Sequence, residues 1–260
     1  MSVEAALAAL GAVVLFMTAV WLVSVVRRDA SIVDIAWGPG FLVAAWAARL
    51  AAGDEATPRQ LVVLGLLHVW GLRLALHLLR RNWGHPEDRR YRRMRERSGG
   101  SFWWASLFKV FWLQAVVAWI VSAPVGVVLL SGAPAALGGL DGLAIAMVVV
   151  GLVFEAGGDW QLGRFRRDPA NRGRVCDVGL WRYTRHPNYF GDALAWWGLY
   201  AFAAATPGGW WSAVGPLLMT VLLVRVSGVA MLEPDLRRSK PGYAAYVART
   251  SSFFPWPPRR

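Results

Sequence analysis

The sequence predicts an all-α integral membrane protein, and three observations carry that prediction. Hydrophobic residues make up 56% of the 260 residues, and 16 tryptophans are among them. Charge is gathered into a few blocks instead of being scattered as on a soluble surface. Long apolar runs recur near the length of about 20 residues that crosses hydrocarbon, with no period-two alternation of the kind a membrane barrel needs. Lipid offers the backbone no hydrogen-bond partners, so a helical bundle remains, as a single domain over residues 1–260.

Seven spans are predicted, at residues 3–26, 35–52, 60–80, 104–130, 139–163, 189–206 and 210–232. The first, "MSVEAALAALGAVVLFMTAVWLV", lacks a basic n-region and a cleavage pattern and is too long for a signal-peptide core, so it reads as a retained helix. The fourth is overlong and carries Pro124, which predicts a kink or a split. Arg27 and Arg28 follow the first span, "RRNWGHPEDRRYRRMRER" the third, "RFRRDPANRGR" the fifth and "LRRSKPGYAAYVAR" the seventh. The opposite connections, "AAGDEATP", "SGAPAALGGLD" and "ATPGG", are short and neutral or acidic. Basic loops stay in the cytoplasm, which places the N-terminus outside and the C-terminus in the cytoplasm. The same rule accounts for the net charge of +12 without a nucleic-acid partner. Cys176, the single cysteine, has no partner for a disulfide or a CxxC site.

Charged groups within a bilayer are costly unless they face protein or water. Glu155 and Asp159 stand i, i+4 near the cytoplasmic end of the fifth span, and Arg166 returns to nearly the same face. Arg225 precedes Glu233 by eight residues, roughly 12 Å deeper by helical rise, and is expected to point into the bundle or a wet cavity. His68, Arg73, His77 and Arg81 form a further polar track on the third span. A buried ion-pair network accounts for any one of these residues. Their convergence on the cytoplasmic half, beside the three longest basic loops, predicts a deep pocket for a large anionic ligand.

Two segments sharpen that expectation. Asn171 and the arginines of "RFRRDPANRGRVCDVGLWRYTRH" suit phosphate oxygens, while the absence of a GxGxxG or P-loop excludes a soluble dinucleotide fold. In "LWRYTRHPNYFGDALAWWGLY", Pro187 belongs in a first helical turn, so a helix begins near His186 to Asn188. Asn188 and Asp192 then share one face beside a helix N-terminus, which attracts phosphate or carboxamide oxygens. The competing reading is a plain helix cap with Trp181, Tyr183 and Tyr189 as interfacial anchors. A plain helix cap needs one polar side chain, and this segment brings five.

The stretches "SIVDIAWGPGF", "GDWQLGRFRRDPANRGRVCDVGLWRYTRHPNYFGDALAWWGLY" and "PGYAAYVARTSSFFPW" resemble the membrane steroid 5α-reductase family, in its bacterial DUF1295 branch, and the resemblance runs across most of the chain. It implies a seven-helix bundle in the bacterial inner membrane that holds NADPH in a cytoplasmic cavity. Hydride would pass to the carbon β to a carbonyl of a lipid-soluble enone. Cofactor contacts carry over to Asp159, Arg166, Asn188, Asp192 and Arg225. Glu155, Asn171, Arg172 and Arg174, together with Tyr183, Arg185, His186, Tyr189 and Glu233, lie on the same stripes and loops and complete the candidate set. Residues 1–130 become the substrate side and 139–260 the cofactor side.

The glutamate and tyrosine with which that family polarises its ketone are missing from the aligned positions, which read "VDIAWGP" and "LHVWGLR". Asp34, kept protonated by burial, or Tyr91, in the loop after the third span, is the candidate donor in their place, and the expected substrate is a conjugated lipid, steroid-like or other. "RHPNYFG", with Glu233 44 residues beyond Tyr189, also resembles the RHPxYxG and Glu-Glu pattern of membrane methyltransferases that bind S-adenosylmethionine. Here Pro234 replaces the second glutamate, and Asp235 follows it. A transporter would place polar residues at the midplane or on both sides, whereas this chain keeps nearly all of them on one side.

Overall fold

The computed structural model describes residues 3–226 and 228–259, and every regular element among them is helical. The chain forms two compact units, one of the residues up to Gly138 with Phe202–Ser212, the other of Gly139–Ala201 with the chain from Ala213 onward. Among the described residues, six helices are long and apolar enough to cross a membrane: Val3–Arg27, Ile32–Ala52, Pro58–Asn82, Arg89–Val121, Gly139–Arg167 and Gly209–Ser239.

In the first unit, α1 (Val3–Arg27) shows why such helices need lipid. Its buried residues Ala5, Ala9, Val13 and Met17 form one i, i+4 stripe, while Leu7, Leu15, Leu22 and Val26 stand exposed. In water that apolar outer face would be a liability; in hydrocarbon it is solvated. Helices α2 (Ile32–Ala52) and α3 (Pro58–Asn82) cross where Gly38 meets Gly71. A Cβ on Gly38 would strike the Gly71 carbonyl oxygen, and one on Gly71 would lie 3.1 Å from the Gly38 oxygen. Small residues let membrane helices approach this closely.

Helix α3 starts with a capping box between Thr57 and Gln60, and Gln60 then does a second task. Its Nε2 donates to the carbonyls of Leu129 at 3.0 Å and Ser131 at 3.1 Å. Arg59, fully buried, donates to Thr206 Oγ1 at 2.9 Å and to the Phe202 carbonyl. On the predicted polar track, His68 accepts from Trp46 Nε1 at 3.1 Å.

The segment after α3, read as a loop, instead forms helix α4 (Arg89–Ser98), because Asp88 caps it by accepting from the Arg90 N–H at 2.9 Å. The overlong fourth span is split. Helix α5 (Phe102–Ser106) passes through a π-helical stretch, Leu107–Trp112, into α6 (Leu113–Val121), and α7 (Ala123–Leu129) begins anew with Pro124 in its first turn. Proline has no N–H and its ring excludes the preceding turn, so the helix restarts. The Ser122 hydroxyl answers the loose end by donating to Ala118 O at 2.7 Å and Trp119 O at 3.0 Å.

The second unit holds α8 (Gly139–Arg167), α9 (Pro187–Ala204) up to Ala201, α10 (Val214–Val221), α11 (Val229–Ser239) and α12 (Tyr243–Arg249). The segment predicted as the sixth span is α9, which starts at Pro187 as expected. It is not among the six long apolar helices, because Pro187, Asn188, Asp192 and its glycines, tyrosines and tryptophans lower its hydropathy. The seventh predicted span is interrupted. A π-helical stretch covers Leu222–Val226 and α11 resumes at Val229, with Gly228 at φ −102° and ψ −108°. The helical count of eight residues from Arg225 to Glu233 therefore does not apply, and Arg225 is exposed.

Replacing Gly38 with alanine should lower the unfolding midpoint in detergent, by a cost of about 1–3 kcal/mol typical of overpacking. Gly11→Ala, whose new Cβ meets nothing within 4 Å, should leave the midpoint unchanged or raise it.

Candidate functional site

Helices α8 and α9 pack through glycines spaced seven apart on each: Gly151 and Gly158 on one, Gly191 and Gly198 on the other. A Cβ on Gly151 would lie 2.5 Å from Gly191 O, and one on Gly198 would lie 2.7 Å from Val148 Cγ2. This contact presses the polar strip of α8 against the first turns of α9. Asn188 Nδ2 donates to Asp159 Oδ1 at 3.0 Å, and Asn188 Oδ1 accepts from the Tyr189 N–H at 3.1 Å. Glu155 is buried one turn before Asp159, where its backbone abuts Gly191, and Asp192 is buried one turn beyond Asn188. Glu155, Asp159, Asn188 and Asp192 thus share one helix pair, as their spacing predicts.

The RHP segment just before α9 is held by a different constellation. Arg185 grips Glu233 with two donors, Nε to Oε1 at 2.8 Å and Nη2 to Oε2 at 3.2 Å. Its Nη1 donates to Thr250 O at 2.5 Å and to Val247 O at 3.3 Å. His186 Nε2 lies 3.2 Å from Glu233 Oε1, and its ring stacks on Tyr189 with centroids 5.4 Å apart. The C-terminal tail closes over this group. Ser251 O accepts from the Arg185 N–H at 2.9 Å, Phe253 O accepts from Thr184 Oγ1 at 2.8 Å, and Tyr183 O accepts from the Trp256 N–H at 2.9 Å. Burial, reinforced by the Glu233 charge, pushes the neighbouring Tyr243 phenol up to about 12.

Arg185, His186 and Glu233 were expected to touch a cofactor. In the structure their polar atoms serve one another and the tail, so they hold the α9 N-terminus in place. Tyr183 contributes its carbonyl to the tail and leaves its ring exposed. The arginines of the connecting loop are more open. Arg166, Arg172 and Arg174 are exposed, whereas the Asn171 amide is turned inward to Phe165 O at 3.2 Å. Arg225 stands on its π-helical stretch, apart in sequence from these groups. An open cavity of about 510 Å³ is lined by Arg182, Arg249 and Arg259 with Asp177, which pairs with Arg249. The sequence reading missed this hollow because its arginines are scattered over 78 positions. It also missed the glycine spine, although the seven-residue spacing is visible in the sequence.

In the first unit, Asp34 and Tyr91 come together. Tyr91 sits on α4, is buried, and donates its hydroxyl to Asp34 Oδ1 at 2.7 Å, while Arg90 Nη2 reaches Asp34 Oδ2 at 2.6 Å. Gln114 donates to the Tyr91 oxygen at 3.3 Å. Asp34 is therefore an acceptor through both oxygens, and the donor of the pair is Tyr91.

Six long apolar helices define a multi-pass helical membrane protein. The chain belongs to the family described as "Protein of unknown function (DUF1295)", whose model matches residues 20–250. An uncharacterised protein of Schizosaccharomyces pombe is 25% identical over 267 residues, covering 90% of this chain and 75% of the relative. No solved structure gives a significant match.

Arg185→Ala should lower stability by about 3 kcal/mol or more, since it strands Glu233 beside a polar cluster in a buried site. Arg185→Lys should recover only part of the loss, because one ammonium cannot reproduce the two-pronged grip. Unfolding midpoints of the two purified variants give the comparison.

Proposed function

We propose that this protein is an NADPH-dependent reductase of the steroid 5α-reductase type, acting on the activated C=C of a lipid-soluble enone. In this reading the chain spans a bacterial inner membrane seven times, α9 being the sixth span, with its N-terminus outside and its C-terminus in the cytoplasm. The basic blocks after α1, α3, α8 and α11 support that orientation. The observation that carries the functional reading is the single polar strip on the glycine-packed α8–α9 pair, with exposed arginines at the end of α8.

The residues present fit such a cofactor. Asn188 retains a second amide N–H beyond the one given to Asp159, suited to a carboxamide oxygen, and Asp192 supplies an acceptor one turn on. Arg166, Arg172 and Arg174 offer forked guanidinium donors for phosphates. When bound, NADPH supplies the hydride. Tyr91, whose oxygen accepts from Gln114, turns its one O–H from Asp34 Oδ1 to the substrate carbonyl, where negative charge develops as the double bond is reduced. Asp34 acts as a positioning carboxylate, and the Arg185–Glu233 clasp fixes the N-terminus of α9.

A second reading, methyl transfer from S-adenosylmethionine, draws on the meeting of "RHPNYFG" with Glu233. The engagement of that carboxylate by Arg185 and His186 weighs against it as a ligand group. Thermal shift and calorimetry with detergent-purified protein separate the two. NADPH is expected to raise the unfolding midpoint and S-adenosylmethionine to leave it unmoved; the reverse overturns the reductase assignment. Asp192→Asn and Arg166→Ala should each weaken NADPH binding about tenfold, the loss of one charge-assisted contact. Tyr91→Phe should cut turnover of an enone lipid by about a hundredfold with cofactor affinity unchanged.

A further inference from the structure

Helix α4 has two faces of opposite character. Its inner face carries Tyr91, which packs in the cluster of Val13, Met17, Phe102 and Phe111. The charged residues on that side are all paired. Arg90 meets Asp34 and Asp88, and Arg95 meets Glu87 at 2.8 Å while lying 4.4 Å over the Phe102 ring. The outer face carries Arg89, Arg92, Arg93 and Arg97 with Glu96, all exposed. Among the described residues none of these four guanidinium groups has an ion-pair partner. A folded protein that neutralises its inner arginines one by one has left a net positive outer face unanswered.

The flanks show what answers it. Trp83, at the end of α3, is 73% exposed, and Trp103 and Trp104, at the start of α5, are 55% and 49% exposed. Exposed tryptophans at the ends of apolar spans mark the level of lipid headgroups. A helix bracketed by them, and carrying four open arginines, is suited to the headgroup layer. We propose that α4 is an interfacial helix that binds anionic phospholipid headgroups through Arg89, Arg92, Arg93 and Arg97. Phosphodiester oxygens match guanidinium donors in charge and geometry, and zwitterionic headgroups lack the net charge to do so. This inference does not rest on the reductase reading.

The test uses the full-length protein in phosphatidylcholine nanodiscs or mixed phosphatidylcholine–phosphatidylglycerol nanodiscs, with retained lipid counted by native mass spectrometry after detergent release. The wild type should retain phosphatidylglycerol preferentially, and added salt should erode the preference. R89Q/R92Q/R93Q/R97Q should lose at least about tenfold of it, a conservative figure for four interfacial charges. R89K/R92K/R93K/R97K should keep most of it, and a matched variant of four other exposed arginines, R164Q/R167Q/R182Q/R238Q, should lose far less of it than the glutamine variant of α4. Undiminished preference in the glutamine variant, or equal loss in the matched variant, overturns the assignment to α4. Retention of added single-stranded RNA by the wild type with no phosphatidylglycerol preference would also overturn it.

Discussion

Hydrocarbon cannot hydrogen-bond a peptide group, so each place where a helix stops at membrane depth must be answered by the protein itself. The chain supplies those answers with a few polar side chains. Gln60 gives its amide to the carbonyls at and just past the end of α7, Arg59 serves Phe202 and Thr206, and the Ser122 hydroxyl covers the end of α6. Each is explained by the orphaned backbone groups beside it.

The same constraint governs charge. Arg185 donates to Glu233 and to the carbonyls that end α12, and so forms the joint that fixes the start of α9. Asp34 likewise draws Arg90 and Tyr91 onto itself and thereby pins α4 to the beginning of α2. Glycine does the complementary work. By removing side chains between α8 and α9, Gly151 and Gly191 bring two polar strips close enough for Asp159 and Asn188 to hydrogen-bond. Polar residues set which groups attract, and glycines set how near they come.

Much of the architecture was legible in the residues. Pro187 marked the start of α9 because proline tolerates only a first turn, and Pro124 marked the break after α6 for the same reason. Apolar runs of membrane length marked six helices. The i, i+4 spacing of Glu155 with Asp159 and of Asn188 with Asp192 placed each pair on one face. The helix at Arg89–Ser98 was hidden, because a run of arginines has no apolar period long enough to announce a helix, and its cap and its tertiary partners decide it.

The sequence by itself determined the class of protein, the membrane-length segments and the local faces, because each depends on composition and on spacing within one element. Partner choice belonged to the tertiary structure alone. Arg185 with Glu233 spans 48 positions and Tyr91 with Asp34 spans 57, and no spacing rule reaches that far. Whether an arginine binds a ligand, clasps a carboxylate or faces the headgroups depends on what stands within about 3 Å of its guanidinium, and only the packed chain sets that distance.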